Sequence, residues 1–460
     1  MNTLFLYGPP ASGKTTLGKK LAEALRRPFF DLDAEIAKAQ GKSIPKIFES
    51  GGEAAFRKAE SETLRALISR PDSQGAVIAL GGGTLLDNAN RELAEKEGRV
   101  WCLEAPSAEE LEKRIAAKPG ARPLGNKAEE RKAHYAAFPR RVAQKFFLKD
   151  SLVVVGEDLG PLQGFADLII ADANAAKANP AALANATIET IPSGEQFKNL
   201  KTVERIWEFA LSHGLGRKNT LAAFGGGVTG DLTGFAAATF MRGINWINVP
   251  TTLLSMVDAS TGGKTGCDLS CGKNLVGAFH FPRLVLIDAA YLKTLPEEEL
   301  KNGRAEMIKH EIIKGLPPGN YKDIPTAEEI GNNLAVKVEM VTKDPYEVKG
   351  FRLLLNCGHT VGHALEIATN FSFSHGQAVA IGIVEEAKLA QKLGLAKPEF
   401  VNELKERFAA AGLPNELPQN VTFASLKDIM LKDKKHQGRT VTFALPCAMG
   451  DVRAVPIELK

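Results

Sequence analysis

The sequence predicts an α/β protein in which helices cover a mostly parallel sheet and a mainly helical region follows. Three observations lead to this fold class. Residues 1 to about 150 alternate apolar runs such as TLFLY, AVIAL and VWCLEA with amphipathic stretches such as TTLGKKLAEAL, which is the pattern of βα units. The alternation restarts at SLVVVGEDLG and continues through DLIIAD, NTLAAF, WINVP and LVLID. After Asp288, few strand-like runs occur before VTFAL at Val441.

These shifts divide the chain of 460 residues into three expected regions. A chain of this length can form two to four domains that each bury a core. We place the regions at 1–150 and 151–290, both α/β, and at 291–460, mainly helical.

Composition narrows the classes of function. The formal charge of +4 is spread along the chain without dense basic runs, so no nucleic-acid partner is expected. No apolar run approaches the roughly 18 residues that cross a bilayer, so we expect a cytoplasmic protein without a membrane partner. Five scattered cysteines, an odd number, indicate free thiols rather than a disulfide framework.

The segment GPPASGKT, Gly8–Thr15, lies between the strand TLFLY and a helical stretch. It has the spacing of a phosphate-binding loop, in which backbone N–H groups and a helix N-terminus surround phosphates. Lys14 is expected to reach the β- and γ-phosphates of ATP, and the Thr15 hydroxyl to bind Mg²⁺. The expected nucleotide contacts are Gly8, Ala11, Ser12, Gly13, Lys14, Thr15 and Thr16.

Further motifs follow the loop: DLD at 31–33, FESGGEAAFRKAE from Phe48, GGG at 81–83 and RPLG from Arg122. Together they resemble shikimate kinase over the first 150 residues. The resemblance implies that Asp33 orients and deprotonates the acceptor hydroxyl and that Arg57 holds the shikimate carboxylate. It also implies that Gly81, Gly82 and Gly83 lie along the substrate ring.

RPLG resembles the lid of that family, which implies that Arg122 closes on ATP and that Arg131 is a second arginine for the substrate. The two arginines are nine residues apart, closer than is usual, so the sequence predicts a shortened lid. A closing lid excludes water from the transferred phosphoryl group.

The glycine run GGGVTGD at 225–231 follows the strand NTLAAF and is a weak signal alone. Combined with IPSGEQFK, VPTTLLSMVDASTGGKTGCDLSCGKN and LKTL, it resembles 3-dehydroquinate synthase from about residue 165 to the C-terminus. The resemblance implies NAD contacts from Asp172, Asn174, Ser193, Glu195, Lys198, Gly226, Gly227, Val228, Gly230, Asp231, Thr251, Thr252, Asp258, Lys264, Lys273, Leu292, Lys293 and Thr294.

An unusual number of cations accompanies these motifs. Like charges 4 Å apart repel by about 4 kcal/mol at an effective dielectric near 20, so a bound polyanion is needed to relieve them. The resemblance implies a substrate with phosphate and carboxylate groups. Its expected contacts are Arg242, Lys264, Asn274, Lys309, Lys337, Arg352, Asn356, His363 and Lys434, of which Lys264, Lys309, Arg352, Asn356 and His363 are expected at the reacting end.

NCGHTVGHALEIATNFSFSHG, from Asn356, contains three of the eight histidines. Helical spacing alone favours His359 with His363 as metal ligands. The resemblance implies a different set, Glu306, His359 and His375, with His363 directed at the substrate. One carboxylate and two imidazoles suit a catalytic Zn²⁺ or Co²⁺.

The fold expected from these resemblances is a P-loop kinase domain followed by a 3-dehydroquinate synthase fold, with a Rossmann-like NAD-binding domain and a helical metal-binding domain. The expected functions are phosphorylation of shikimate with ATP and Mg²⁺, and conversion of 3-deoxy-D-arabino-heptulosonate 7-phosphate to 3-dehydroquinate with NAD⁺ and the metal. A homodimer is expected. Two alternatives stay open: a non-catalytic, nucleotide-sensing N-terminal region, and a metal-dependent polyol dehydrogenase.

Overall fold

The computed structural model describes residues 2–105, 113, 130–431 and 440–459. Arg122 and Lys434, expected at the two sites, lie outside these residues, as does the RPLG segment. The described strands, in chain order, are β1 Thr3–Tyr7, β2 Phe29–Asp31, β3 Val77–Ala79, β4 Gly98–Leu103, β5 Arg141–Phe147, β6 Leu152–Glu157, β7 Leu168–Asp172, β8 Ile188–Ile191, β9 Thr220–Gly225, β10 Asn245–Pro250, β11 Lys264–Leu269, β12 Gly272–Phe279, β13 Leu284–Asp288, β14 Thr440–Ala448 and β15 Asp451–Glu458.

The described α-helices run from the N-terminal half into the C-terminal region. They are Lys14–Leu25, Leu32–Gln40, Ile44–Ile68, Asn88–Glu97, Lys132–Ala136, Ala173–Ala178, Leu200–Ser212, Gly227–Thr239, Glu297–Lys314, Ala327–Lys343, His359–Ala368, His375–Lys392, Pro398–Ala410 and Phe423–Leu431. The predicted βα alternation and the helical region after Asp288 are both present.

One sheet of eleven strands passes through both predicted α/β regions, in the order β2-β3-β1-β4-β5-β6-β13-β10-β9-β7-β8. Every neighbouring pair in it is parallel except β5 with β6, which is antiparallel. The short turn 148–151 joins these two strands, and Leu148 N–H donates to Ser151 O at 2.9 Å. The predicted limit at residue 150 therefore falls within a hydrogen-bonded turn, and the division into three regions stays a prediction.

The apolar core is continuous across the same junction. Leu6 of β1 and Leu17 of helix Lys14–Leu25 belong to one buried cluster with Val153, Ile247 and Leu286. All four of the residues 152–155 are buried, because helices cover both faces of a parallel sheet. The two halves of the chain thus share a core as well as a sheet.

The C-terminal helices surround buried charged residues with apolar side chains. Helix Glu297–Lys314 is buried over most of its length, and Ile308 and Ile312 pack on Val379, Leu404 and neighbouring residues. Helix His375–Lys392 begins with a capping box, in which the Ser374 hydroxyl and the Gln377 side chain satisfy each other's backbone N–H groups. This cap fixes where His375 starts the helix.

The segment that contains Lys264 and Lys273 is the antiparallel hairpin β11–β12, in which Gly266 pairs directly with Gly277. All five cysteines are free thiols, as predicted. In the part of the chain that is described, no helix is long and apolar enough to span a bilayer.

Candidate functional sites

The phosphate-binding loop follows β1 and has the backbone that its glycines allow. Gly8 adopts φ +127°, and a Cβ there would stand 2.5 Å from Leu103 O, so only glycine fits against β4. Gly13, at φ +91°, precedes helix Lys14–Leu25 and leaves its first N–H groups open. The predicted loop between a strand and a helix N-terminus is confirmed.

Lys14 and Thr15 already face the inside of this loop. Lys14 Nζ donates to Gly8 O at 2.8 Å and to Pro9 O at 2.7 Å. Thr15 Oγ1 donates to Asp31 Oδ2 at 2.7 Å. The sequence assignment gave no role to Asp31, although its position as the first acid of DLD was a signal. A hydroxyl and a carboxylate at this distance fit the preference of Mg²⁺ for oxygen ligands.

A pocket for a small acid lies beside the loop. A Cβ on Gly83 would stand 2.5 Å from Arg57 Nη2 and 3.0 Å from Arg131 Nη1, so both guanidinium groups converge on this glycine. A Cβ on Gly81 would stand 3.4 Å from Asp33 Oδ1. The structure thus brings together the acid, the two arginines and the glycine run expected from the sequence, including the buried Arg131.

Glu60 orients the first of these arginines. Arg57 Nη1 donates to Glu60 Oε2 at 2.5 Å, and Glu60 Oε1 accepts from Thr84 Oγ1 at 2.7 Å. Burial lowers the pKa of Arg57, but the carboxylates of Glu60 and Glu53 outweigh burial and raise it. Glu60 is itself almost fully buried, and the sequence assignment missed this role although FRKAE contains the residue.

The second site begins where β9 runs into helix Gly227–Thr239. Gly226, Gly227, Gly230, Asp231 and Lys264 line a single cavity there. At the next strand end, Asp172 Oδ1 accepts from the Ser193 hydroxyl at 2.8 Å and from Asn174 N–H at 2.9 Å. Carboxyl ends of parallel strands are where nucleotides bind in such sheets.

Lys198 links Asp231, another of the expected NAD residues, to Asn274, which is expected at the substrate. Its Nζ donates to Asp231 Oδ2 and to Asn274 Oδ1, both at 2.6 Å. Burial raises the pKa of Asp231, and the Lys198 charge opposes this effect. Lys273 Nζ lies 3.8 Å from Glu195 Oε1 and 4.3 Å from the centre of the Phe371 ring.

Glu306, His359 and His375 bring one ligand atom each to within 4.8 Å of one another. Glu306 Oε1 lies 3.5 Å from His359 Nε2 and 3.6 Å from His375 Nε2, and Glu306 is fully buried. Glu306 Oε1 has no hydrogen-bond partner among the described residues, whereas Oε2 forms an ion pair with Lys309 Nζ. His359 Nδ1 lies 3.2 Å from Cys357 O; donation there leaves Nε2 free to bind a metal.

The electrostatics of this triad also suit a cation. Burial raises the pKa of Glu306, but Lys309 and His359 outweigh it and hold that pKa well below the usual value. Burial and Lys309 hold the pKa of His359 low. Burial lowers the pKa of His375, yet Glu306 and Glu366 raise it to about 9. Metal binding at His375 would therefore release a proton.

A chain of buried ions adjoins the triad. Lys309 contacts Glu306 and lies 3.8 Å from Asp258 Oδ2, while Lys337 contacts the other oxygen of Asp258. These lysines hold the pKa of Asp258 well below its ordinary value despite burial. The predicted Lys337 therefore reaches the same carboxylate as Lys309.

Arg352 and Lys264 lie at the edge of this network. Arg352 Nη1 donates to Gly262 O at 3.1 Å and to Pro345 O at 2.9 Å, and Lys264 Nζ lies 2.5 Å from Glu347 Oε2. His363 is on the same helix as His359, with ring centres 5.3 Å apart. His363 can also join Glu366 and His375 in a second set of closely spaced ligand atoms.

Several other residues expected at the sites make few contacts with the site residues described above. Leu292 is fully buried in the core, so its side chain cannot face a nucleotide, whereas Thr294 pairs with Asn179 and Lys293 lies 3.8 Å from Glu157. The structure brings no polar partner among the described residues to Arg242 or Asn356. Thr252 bonds to Ser255, and the N–H of Thr251, directly after β10, donates to Gly225 O at 2.9 Å. The remaining expected nucleotide residues lie in or next to the two glycine-rich segments: Ala11, Ser12, Thr16 and Val228.

Comparison with known proteins identifies both halves. The family model for shikimate kinase matches residues 10–170, and the models for the N- and C-terminal parts of 3-dehydroquinate synthase match 188–302 and 303–436. The 3-dehydroquinate synthase of Acaryochloris marina (strain MBIC 11017) is 43% identical over 276 residues, which cover 57% of this chain and 74% of that protein. The chain belongs to the 3-dehydroquinate synthase family.

The synthase of Synechococcus sp. (strain ATCC 27144 / PCC 6301 / SAUG 1402/1) is similarly related, 44% identical over 57% of this chain and 75% of its own length. A crystal structure of 2-deoxy-scyllo-inosose synthase with carbaglucose-6-phosphate, NAD⁺ and Co²⁺ is 25% identical, with a TM-score of 0.60, and covers 68% of this chain and 96% of that one. With the kinase match, the chain is a fusion of shikimate kinase and 3-dehydroquinate synthase, a bifunctional enzyme. The predicted fold class and pair of enzymes are confirmed.

Proposed function

We propose that both sites are catalytically competent and that each uses the residues assembled around it. The kinase site transfers the γ-phosphoryl group of ATP to shikimate and forms shikimate 3-phosphate. The synthase site converts 3-deoxy-D-arabino-heptulosonate 7-phosphate to 3-dehydroquinate and phosphate. The observation that carries the proposal is that each site gathers its acid, its cations and its nucleotide loop in one place.

In the kinase site, Arg57 and Arg131 bind the shikimate carboxylate. Two planar guanidinium groups at Gly83 can each form paired hydrogen bonds with it. Asp33, on the far side of the glycine run, then faces the ring hydroxyl and accepts its proton. Lys14 leaves the loop carbonyl groups to bind the ATP phosphates, and Thr15 with Asp31 holds Mg²⁺.

In the synthase site, Glu306, His359 and His375 hold Zn²⁺ or Co²⁺. The residues fit the ion, since the buried Glu306 Oε1 has no hydrogen-bond partner among the described residues and both imidazoles present Nε2 to it. When bound, the ion acidifies a substrate hydroxyl so that hydride transfer to NAD⁺ proceeds at neutral pH. Glu366 lies 3.7 Å from His375 Nδ1 and orients that ring.

The cations of the synthase site hold the substrate anions. Lys309 and Lys337 are tied to Asp258 and Glu306, so they are fixed before the substrate arrives. Fixed charges that need no rearrangement make positioning an efficient contribution to catalysis. Arg352 and Lys264 flank the cavity edge, and His363 completes the wall beside the metal ligands.

We further propose that NAD⁺ binds along Gly226, Gly227 and Asp231, with Asp172 on the adenosine side. The protein acts as a homodimer in the cytoplasm. The rival proposal, a kinase half that only senses nucleotide, has no need of Asp33, Arg57 and Arg131, which converge on one glycine run. The polyol dehydrogenase alternative is not favoured by relatives that are 43% identical synthases.

The test measures both activities of the purified full-length chain, with and without a chelator. Phosphate transfer to shikimate and conversion of the heptulosonate phosphate are both expected. Prolonged chelation followed by removal of free metal should abolish only the synthase activity, which Zn²⁺ or Co²⁺ should restore, while the kinase activity returns with Mg²⁺. Synthase activity without shikimate phosphorylation would establish the sensing role instead, and a synthase unaffected by chelation would contradict the metal site.

A further inference from the structure

A cavity of about 300 Å³ lies at the junction of the two enzymes, away from both catalytic sites. Kinase residues on one wall include Arg99 of β4 and Arg140, which directly precedes β5. The other wall includes Gln163, from the segment after β6, and Asn185, which lies between the two family matches. This volume is at the lower end for sites that bind small molecules.

Two guanidinium groups meet in this cavity. A Cβ on Gly160 would stand 3.1 Å from Arg140 Nε and 3.2 Å from Arg99 Nε, so both arginines flank the same turn. Gly160 has φ +87°, which lets the backbone pass close to them without a side chain. The positions converge because β5 and β6 are antiparallel neighbours, which returns the chain beside Arg140.

Arg99 and Arg140 are both partly buried. Neither forms an ion pair with an acidic residue among the described residues. Glu95, the carboxylate on the cavity wall, instead pairs with Arg91 at 3.0 Å. Arg27 adds a third positive charge nearby, and among the described residues its guanidinium donates to the backbone oxygens of Asn2 at 3.4 Å and Gly164 at 2.6 Å.

Neighbouring arginines add to the positive potential at Arg99. Burial, and then the charges of Arg140 and Arg27, lower the pKa of Arg99 to about 10. Arg27 and Arg99 both lie over the Phe165 ring, 5.4 and 5.6 Å from its centre. An aromatic face stabilises such cations in part but does not neutralise them.

We propose that this cavity is an anion site that binds a phosphate dianion, free or as a monoester, and thereby bridges the kinase and synthase halves. Two guanidinium forks match the oxygens of a phosphate group, and a dianion offsets both charges. Because one wall comes from β4 and β5 and the other from the segment that leads into the synthase half, occupancy stabilises the junction between them. The site is separate from the phosphate loop and from the lysine network of the synthase.

Equilibrium dialysis with labelled inorganic phosphate tests the site in the full chain at constant ionic strength. The wild type should bind one phosphate per chain more than R99Q/R140Q, while both activities of this variant stay unchanged without added phosphate. R205Q, which removes an exposed arginine from helix Leu200–Ser212, is the matched control and should bind like the wild type. Equal numbers of bound phosphates in wild type and R99Q/R140Q would overturn the proposal.

A second variant and a second ligand complete the experiment. If R99Q/R140Q does not fold, R140Q alone carries the test, with phosphate affinity at this site expected to fall at least about tenfold. Glycerol 3-phosphate then distinguishes the sources of the anion. Displacement of the extra phosphate by glycerol 3-phosphate assigns an esterified ligand, and absence of displacement assigns inorganic phosphate. An R140Q chain with wild-type affinity contradicts the site.

Discussion

The two catalytic sites share one sheet and are built in different ways. The kinase site uses loops at the ends of neighbouring strands, and its Asp33 and Thr15 are exposed. The synthase site buries Glu306, Lys309 and Lys337 almost completely, and the partly buried Asp258 links the two lysines in a chain of alternating charges. The charged network of the synthase site is therefore fixed in advance, whereas the kinase site leaves Asp33 and Thr15 open to solvent. Substitutions should have separate consequences in the two.

The largest expected effect separates the sites through the metal. Glu306→Gln removes the anionic ligand and leaves Lys309 buried without its nearest carboxylate. Synthase activity should fall by at least roughly 10³-fold, and metal analysis should find less than one zinc per chain. Kinase activity should not change. Full zinc content in the variant would show that the histidines alone hold the ion.

The reciprocal substitution, Lys14→Met, tests the phosphate loop. Without the ammonium group the β- and γ-phosphates lose a fixed positive charge, so shikimate phosphorylation should fall roughly 10²- to 10³-fold. The synthase rate, measured on the same preparation, should stay the same. Lys19→Met, on the exposed side of the same helix, is the control. A parallel loss of synthase activity would mean that the shared sheet couples the sites.

Within the synthase site, His363→Asn distinguishes a metal ligand from a residue that faces the substrate. If Glu306, His359 and His375 are the ligands, zinc should stay near one per chain while activity falls roughly 10²- to 10³-fold. Loss of zinc instead would support the pair His359 and His363, one helical turn apart, or the set of His363 with Glu366 and His375.

The smallest expected effect is on stability and comes from Asp288, at the end of β13, which bonds to the segment after β6. Its carboxylate accepts from Asp158 N–H at 2.9 Å and Leu159 N–H at 2.7 Å, and burial raises its pKa to about 6 against these bonds. Between pH 4 and 6 the folded chain keeps a proton that the unfolded chain has released, so stability falls as pH rises. The change amounts to about 2–3 kcal/mol.

Denaturant unfolding at several pH values checks this pH dependence. Asp288→Asn cannot titrate, so its free energy of unfolding should lack the decline that the wild type shows across this window. The comparison uses the difference between the two curves, because other groups titrate in both proteins. Identical slopes for wild type and variant would contradict the raised pKa.

Much of each site could be predicted because its motifs are local. The phosphate loop needs only Gly8–Thr15 between a strand and a helix, and the predicted Arg131 lies beside Arg57 as the family resemblance implied. Glu60 and Glu366 were missed because they contact other protein side chains, and such contacts leave little pattern in a single sequence. Leu292 fits the motif LKTL, but its side chain is in the core, since a motif does not state which atoms face a ligand.

The junction is the clearest case of information that only the tertiary structure supplied. Two strand-like runs separated by LKDS are compatible with an antiparallel hairpin, yet that local signal does not reveal that β4 and β13 continue the sheet on either side. The meeting of Arg99 and Arg140 follows from that continuation. Strand neighbours and side-chain convergence depend on contacts between residues far apart in the chain.

The sequence by itself determined the succession of βα units, the positions of both glycine-rich loops and the identities of the chemical groups. Periodicity, backbone freedom and side-chain chemistry are local properties, so they can be read from neighbouring residues. Helical spacing alone favoured His359 with His363, and the tertiary structure brings His375 and Glu306 to His359, as the family resemblance implied. Only the tertiary structure showed that one sheet unites the two enzymes. Packing selects among distant pairings according to buried area and hydrogen bonding over the whole chain.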